Sequence, residues 1–189
     1  MRRADLELAA RCQAGTAGAF EELYRQHAAR LYNLAYRMAG PQDAEDLLQD
    51  FFLLAHRKLA SYRGDAALGT WLYRLAMNHC LDVLRNRQTR MDQRTESLDE
   101  PDATEVASPV PLPAVNRLDL ERAIATLPPA CRAAFLLHDV EGFGHLEVGA
   151  ILGVSEGTSK SQVHKARTRI RAYLAREAPG PAAREEHGN

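Results

Sequence analysis

From Phe20 to Met38 apolar side chains return every three or four residues, at Phe20, Leu23, Tyr24, Leu31, Leu34, Ala35 and Met38. That is the period of a helix with one buried side, with Thr16 ahead of it and Gly40-Pro41 to stop it. Asp43 opens a second stretch, DAEDLLQDFFLLAHRKL, in which Leu47, Leu48, Phe51, Phe52, Leu54, Ala55 and Leu59 form a broad buried face. Its opposite side carries Asp43, Asp46, Gln49 and Asp50, an acidic edge open to a basic partner. After a loop around Tyr62-Arg63-Gly64-Asp65 comes TWLYRLAMNHCLDVLRNR, with Leu72, Leu75, Ala76, Leu81 and Leu84 inward and Arg74, Asn78, Arg85 and Arg87 outward. Further on the pattern predicts a helix from Leu118 to Leu127, a reset at Pro128-Pro129 and a helix over CRAAFLLHDVEG. No alternating strand pattern and no internal repeat interrupts this, so the fold class is all-α.

Residues 145–171, HLEVGAILGVSEGTSKSQVHKARTRIR, carry the clearest signal. Leu146, Ile151 and Leu152 give a short helix its apolar side, Gly149 is small where two helices cross closely, and Gly153 supplies the freedom a turn demands. Ser155 then caps a second helix. Its Val163 and Ile170 point to the core, while five cations (Lys160, Lys165, Arg167, Arg169, Arg171) and no acid lie between 160 and 171. A charge run alone is often a solvated face. With the turn attached, the pattern is a helix-turn-helix, whose second helix enters the major groove through Thr158, Lys160, Ser161, Gln162, His164 and Lys165.

The net charge of −1, from 24 basic and 25 acidic residues, conceals a division. Residues 1–87 carry 12 basic against 10 acidic side chains, 88–115 carry 2 against 6, 116–175 carry 8 against 6, and 176–189 carry 2 against 3. Two mildly basic domains, 1–88 and 116–176, are therefore expected to flank a flexible acidic linker at 89–115, with a disordered tail at 177–189. Cys12, Cys80 and Cys131 show no ligand spacing and read as reduced apolar residues. His79 beside Cys80 points about 100° away from it on a helix, so no metal and no cofactor is expected. No apolar stretch approaches the roughly 20 residues that span a bilayer, and MRRADLELAARCQ lacks the core of a signal peptide, so a cytoplasmic protein without membrane insertion is expected.

Taken in order, DAEDLLQDFFLLAHRKL, YRGDAALGTWLYRLAMNHCLDVLRNR, an acidic linker and LPPACRAAFLLHDVEGFGHLEVGAILGVSEGTSKSQVHKARTRIR resemble an extracytoplasmic-function (ECF) RNA polymerase sigma factor over nearly the whole chain. The resemblance implies a protein that is not an enzyme and that binds core RNA polymerase and promoter DNA. It implies that the helix from Asp43 to Lys58 docks on the polymerase clamp through Asp43, Asp46, Gln49 and Asp50, where a plain solvated face is the alternative. It implies that the loop from Tyr62 to Thr70, with Arg63, and the helix behind it capture a base flipped from the minus-ten element. Asn78, both donor and acceptor, would edge that pocket, and Arg74, Arg85 and Arg87 would hold the strand. Trp71 could stack on a base, but core packing suits its place better.

In the second domain the resemblance sets Lys160, Ser161, His164 and Lys165 toward the minus-thirty-five duplex and Arg167 and Arg171 toward phosphate. The family commonly has a β-branched aliphatic where this chain has Ser159, and Arg where it has Gln162. Ser159 thus puts a hydroxyl at a position expected to be partly buried. An anti-sigma factor is a further implied partner. Two rival classes share parts of the pattern. A helix-turn-helix regulator acting without core polymerase would need a receiver or ligand pocket in residues 1–87. A metal-dependent phosphohydrolase, suggested by His138-Asp139, would need several more ligands converging on one metal.

Overall fold

The computed structural model describes residues 2–92 and 116–177, all helix and short turns, in two compact units divided between Ser97 and Leu98. The expected linker beyond Asp92 and the tail after Glu177 lie outside the described residues.

The first unit contains α1 (Arg2–Gln13), α2 (Ala19–Ala39), α3 (Ala44–Lys58), a 3-10 turn (Leu59–Ser61) and α4 (Leu68–Asp92). Its core joins Leu23, Leu31, Leu34 and Met38 of α2 to Leu47, Phe51, Phe52 and Ala55 of α3 and to Leu72, Tyr73, Ala76, Met77 and Cys80 of α4. Each large apolar side chain so buried contributes roughly 1.5–3 kcal/mol. Gly40, at φ +92, ends α2 and donates its N–H to the Tyr36 carbonyl, in a backbone shape that favours glycine. Gln13 of α1 donates to the Leu59 carbonyl, and the Asp5 carboxylate accepts from the N–H of Leu68, the first residue of α4.

The helices depart from the sequence pattern in instructive places. α1 precedes the first periodic run, and α2 begins after Gly18 rather than at Thr16. Tyr24, counted with the core, is 45% exposed, because the buried side of α2 is narrower than its apolar run. α4 starts at Leu68, so Leu68 to Thr70 are helix and not loop, and it continues past Arg87 to Asp92. Its innermost face is Leu72, Tyr73, Ala76, Met77 and Cys80; Leu75, Leu81 and Leu84, expected inward, are half-buried one step round the helix. Trp71 is half-buried with its ring tilted against Tyr62, centroids 5.4 Å apart, in keeping with a packing role.

The second unit runs α5 (Arg117–Ala125), α6 (Pro129–Phe135), a π-helical turn (Leu136–Val140), α7 (His145–Leu152) and α8 (Glu156–Glu177). Asn116 caps α5 by accepting from Asp119 N–H at 2.9 Å, and Pro129 occupies the first position of α6, where its missing N–H costs nothing. The guanidinium of Arg132 reaches back to the Ala125 and Leu127 carbonyls that α5 leaves open. α8 lays one stripe, Ser159, Val163, Ala166, Ile170 and Leu174, against the other helices. On α7 the inward residues are Val148, Gly149 and Ile151; Leu146, expected inward, is 72% exposed because it lies two residues, about 200°, from Val148.

The turn between α7 and α8 is held at two glycines. Gly153, at φ +69, closes α7. A Cβ on Gly149 would stand 2.7 Å from the Val154 carbonyl oxygen, inside contact distance of a backbone that cannot step aside. Gly149→Ala should therefore destabilise the second unit by about 1–3 kcal/mol through overpacking. Hydrogen exchange should quicken through α7 and α8 and stay unchanged in α2 to α4; unaltered protection in α7 and α8 would contradict this close approach.

Candidate nucleic-acid interface

The hydroxyl of Ser155 accepts from Thr158 N–H at 3.0 Å, so α8 begins where a side chain satisfies an orphan amide. With its stripe buried, the helix leaves Thr158, Lys160, Ser161, His164, Lys165 and Arg171 exposed. Lys160 Nζ lies 2.6 Å from the Glu156 carboxylate one turn earlier, and this contact holds that carboxyl below its ordinary range. Two residues expected at the DNA differ from the rest. Gln162 is half-buried, and its carbonyl oxygen is buried without a hydrogen-bond partner among the described residues. Arg167, expected to hold phosphate, is exposed as well but donates two hydrogen bonds, at 2.9 and 2.5 Å, to Asp139 of the π-helical turn. Ser159 is fully buried, and its hydroxyl lies 3.1 Å from His145 Nδ1.

In the first unit α3 presents Asp46, Gln49 and Asp50 to solvent on one face. Leu53, 59% exposed, continues that face, and with Phe20, Tyr24, Gln49, Phe52 and His56 it lines an open aromatic groove beside the acids. Asp50 also lies 3.4 Å from His79 of α4. Asp43 behaves differently from its expected partners: its carboxylate accepts two hydrogen bonds from Arg87, at 2.6 and 2.8 Å, and does not cap α3. One residue expected at the polymerase and one expected at DNA are thus bound to each other. Arg63 and Asn78 are exposed, and Arg85 is exposed beside Asp82, 2.9 Å away. Tyr62 is 8% exposed, and its hydroxyl donates to the Ala66 carbonyl at 2.8 Å, which braces the loop from inside. Arg74 is half-buried, with Nε lacking a hydrogen-bond partner among the described residues.

The order of these features matches known proteins. The family model described as Sigma-70 region 2 matches residues 23–90, and the one described as Sigma-70, region 4 matches residues 117–170. The ECF RNA polymerase sigma factor SigM of Mycobacterium tuberculosis is 38% identical over 173 residues, covering 91% of this chain and 85% of its own length. The chain belongs to the ECF RNA polymerase sigma factors. SigE of Mycolicibacterium smegmatis is 42% identical over 163 residues, 84% of this chain, and the match spans 63% of that relative's length. The sigma factor RpoE of Bartonella quintana, solved in complex with the anti-sigma factor NepR, superposes with a TM-score of 0.65 at 25% identity, covering 85% of this chain and 99% of that one.

As a sigma factor, the protein directs promoter-specific transcription, and a regulator working without polymerase is not the favoured reading. The His138-Asp139 pair is spoken for: His138 Nδ1 lies 2.8 Å from the Phe143 carbonyl, and Asp139 holds Arg167. Among the described residues no three His, Cys, Asp or Glu side chains converge as metal ligands. Burial pushes the Cys80 thiol up to about 12, in keeping with an inert core residue. No helix of the described residues is long and apolar enough to cross a membrane. Sequence reasoning missed Leu53, an exposed apolar side chain on a face read as polar, whose signal was its place four residues after Gln49, and it counted the exposed Tyr24 with the core.

The Asp43–Arg87 pair generates a pH prediction for the sigma factor. The hydrogen bonds from Arg87 hold the Asp43 carboxyl below its ordinary 3.8, so the pair stabilises the fold above that value and is lost as pH falls through the lowered one. Both partners are partly exposed, which limits their coupling to about 0–1 kcal/mol. A double-mutant cycle of Asp43→Ala and Arg87→Ala should give a coupling of that size at neutral pH, vanishing in strong acid; a coupling unchanged in acid would mean that the pair is not the interaction measured.

Proposed function

We propose that this sigma factor binds core RNA polymerase through the outer face of α3 and reads its promoter at two places. In that reading Asp46, Gln49 and Asp50 meet a basic surface of the polymerase, with Leu53 and the aromatic groove beside them supplying apolar contact. Asn78, with Arg63 and Arg85, meets the opened minus-ten strand, and the braced loop before α4 forms the wall of the base pocket. Extruding a base loses a few kcal/mol of stacking, which a pocket edge able both to donate and to accept can return.

The observation that carries the reading is α8: a capped helix, its stripe buried, with Ser161, His164 and Lys165 turned outward in the second half of a helix-turn-helix. Ser161, His164 and Lys165 would meet base edges of the minus-thirty-five duplex and Arg171 a phosphate. Arg87 and Arg167 join the DNA only by leaving Asp43 and Asp139, so both are secondary contacts. The anti-sigma partner of the Bartonella RpoE supports a partner of that kind for this chain. The direct test is transcription from a promoter library by core polymerase with and without this protein; promoter selection that does not depend on the protein would reject the reading.

Two variants separate its parts. Asp46→Arg combined with Gln49→Ala alters exposed positions only, so the fold should persist while affinity for core polymerase falls at least about tenfold, equivalent to ~1.4 kcal/mol. Unchanged co-elution with core enzyme would remove α3 from the interface. Within α8, Lys165→Ala should relax preference at one or two base pairs, whereas Arg171→Ala should weaken all sequences alike and lower the salt slope by about one unit. Binding of holoenzyme to randomised minus-thirty-five duplexes at several salt concentrations reads both effects, and equal losses of specificity would show that the groove side of α8 lies elsewhere.

A further inference from the structure

Ser159 is fully buried on the inner stripe of α8, and apart from tyrosines and cysteines no other side chain with a polar group falls in the buried class among the described residues. An aliphatic side chain there would ask for nothing; a buried hydroxyl requires a partner. Its partner is His145, the first residue of α7, with Nδ1 at 3.1 Å from Ser159 Oγ. The His145 ring in turn lies flat over His138 of the π-helical turn, centroids 4.0 Å apart and planes at 22°. His138 Nδ1 is 2.8 Å from the Phe143 carbonyl, which can only accept, so that nitrogen carries the hydrogen. A chain of polar contacts and one ring stack therefore runs from the π-helical turn through α7 to the middle of the helix that presents Ser161, His164 and Lys165.

We propose that the His145–Ser159 contact is a positioning device: it fixes how α8 sits on α7, hence which base edges α8 can reach, and it is weakened when His145 takes up a proton. The proposal rests on the reading of α8 as the minus-thirty-five helix. A neutral imidazole can share one hydrogen with Ser159 in either direction. A protonated one must donate at Nδ1, and the hydroxyl hydrogen of Ser159 must then turn to the Ser155 carbonyl, which already accepts from the Ser159 N–H. The surroundings disfavour that charge. From the π-helical turn His145 meets the stacked His138; from α8 it meets Arg167, and Lys160 with its partner Glu156. On its own helix Glu147 is engaged by the Gly144 N–H, and the first-turn amides present the positive end of α7. Desolvation first, then His138 and Lys160, push the His145 pKa below its ordinary 6.5. The unfolded histidine thus takes up a proton more readily than the folded one, so the contact is kept at higher pH and lost as pH falls through the lowered value.

The test uses the full-length protein, free and assembled with core RNA polymerase. In nuclear magnetic resonance titrations His145 should titrate below 6.5, and the amide shifts of Thr158 to Gln162 should follow the same curve. Ser159→Thr keeps the hydroxyl and should keep that coupling, whereas Ser159→Val should abolish it. In holoenzyme, Ser159→Val should change base preference within the minus-thirty-five element by about tenfold at one or more positions, the size of one base contact, with Ser159→Thr close to wild type. Wild type at about pH 6 should move toward the Ser159→Val preference relative to about pH 8, on either side of the ordinary histidine value. Wild-type amides of α8 that ignore the His145 titration would overturn the proposal, as would unchanged preferences in a folded Ser159→Val protein. Should that variant fail to fold, His145→Gln, uncharged at every pH, decides: a flat α8 response to pH supports the device, and a persisting one overturns it. A wild-type holoenzyme without any minus-thirty-five preference would instead count against the reading of α8, while the amide titration still judges the contact itself.

Discussion

The backbone of the turn after α7 passes so close to Gly149 that a single added carbon would collide with Val154. Everything that the second unit shows to solvent depends on that approach. With Gly149 bare, α7 and α8 can meet at short range, Ser155 can cap the second helix, and the buried stripe from Ser159 to Leu174 sets its rotation. A helix held by one stripe has no freedom left in choosing its outer face. Ser161, His164 and Lys165 are outward because Ser159, Val163 and Ala166 are inward.

The second theme is charge already satisfied. Arg87 lies on Asp43, Arg167 on Asp139, Lys160 on Glu156 and Arg85 on Asp82. Charge-assisted hydrogen bonds of this kind are strong locally, yet between exposed partners they add little to stability. In the proposed promoter complex their effect is on selectivity: a cation that must leave a carboxylate to meet a phosphate gains less from a random one than a bare cation would. Arg171, by contrast, stands exposed with no acid three or four residues from it on α8.

Helix positions, the two-unit division of the chain and the helix-turn-helix were legible because each rests on local signals: three-and-four spacing, Gly40-Pro41, Pro128-Pro129, Gly153 and Ser155. What escaped was non-local. The start of α4 is fixed by Asp5, 63 residues earlier, and nothing beside Leu68 announces it. Tyr62 looked like a ligand-facing aromatic of a loop, but its hydroxyl bonds the Ala66 carbonyl within that loop, and its ring lies against Trp71. Asp43 and Arg87 each looked free on its own helix, and only the packing of α3 beside α4 joins them. Leu146 failed for a simpler reason: α7 is two turns long, and Val148 defines its inner face better. The burial of Ser159 was legible; its partner His145, fourteen residues away, was not.

The bond from Asp5 to Leu68 has a temporal side. α1 leaves the ribosome before α4, and its carboxylate finds no partner until the opening residue of α4 has been made and turned back toward it. Closing so long a loop carries an entropy that local helix formation does not, so α2 and α3 can pair before either end of the unit is secured. The loop from Tyr62 to Ala67, clasped between these two late partners, is then among the last parts of the first unit to take its shape.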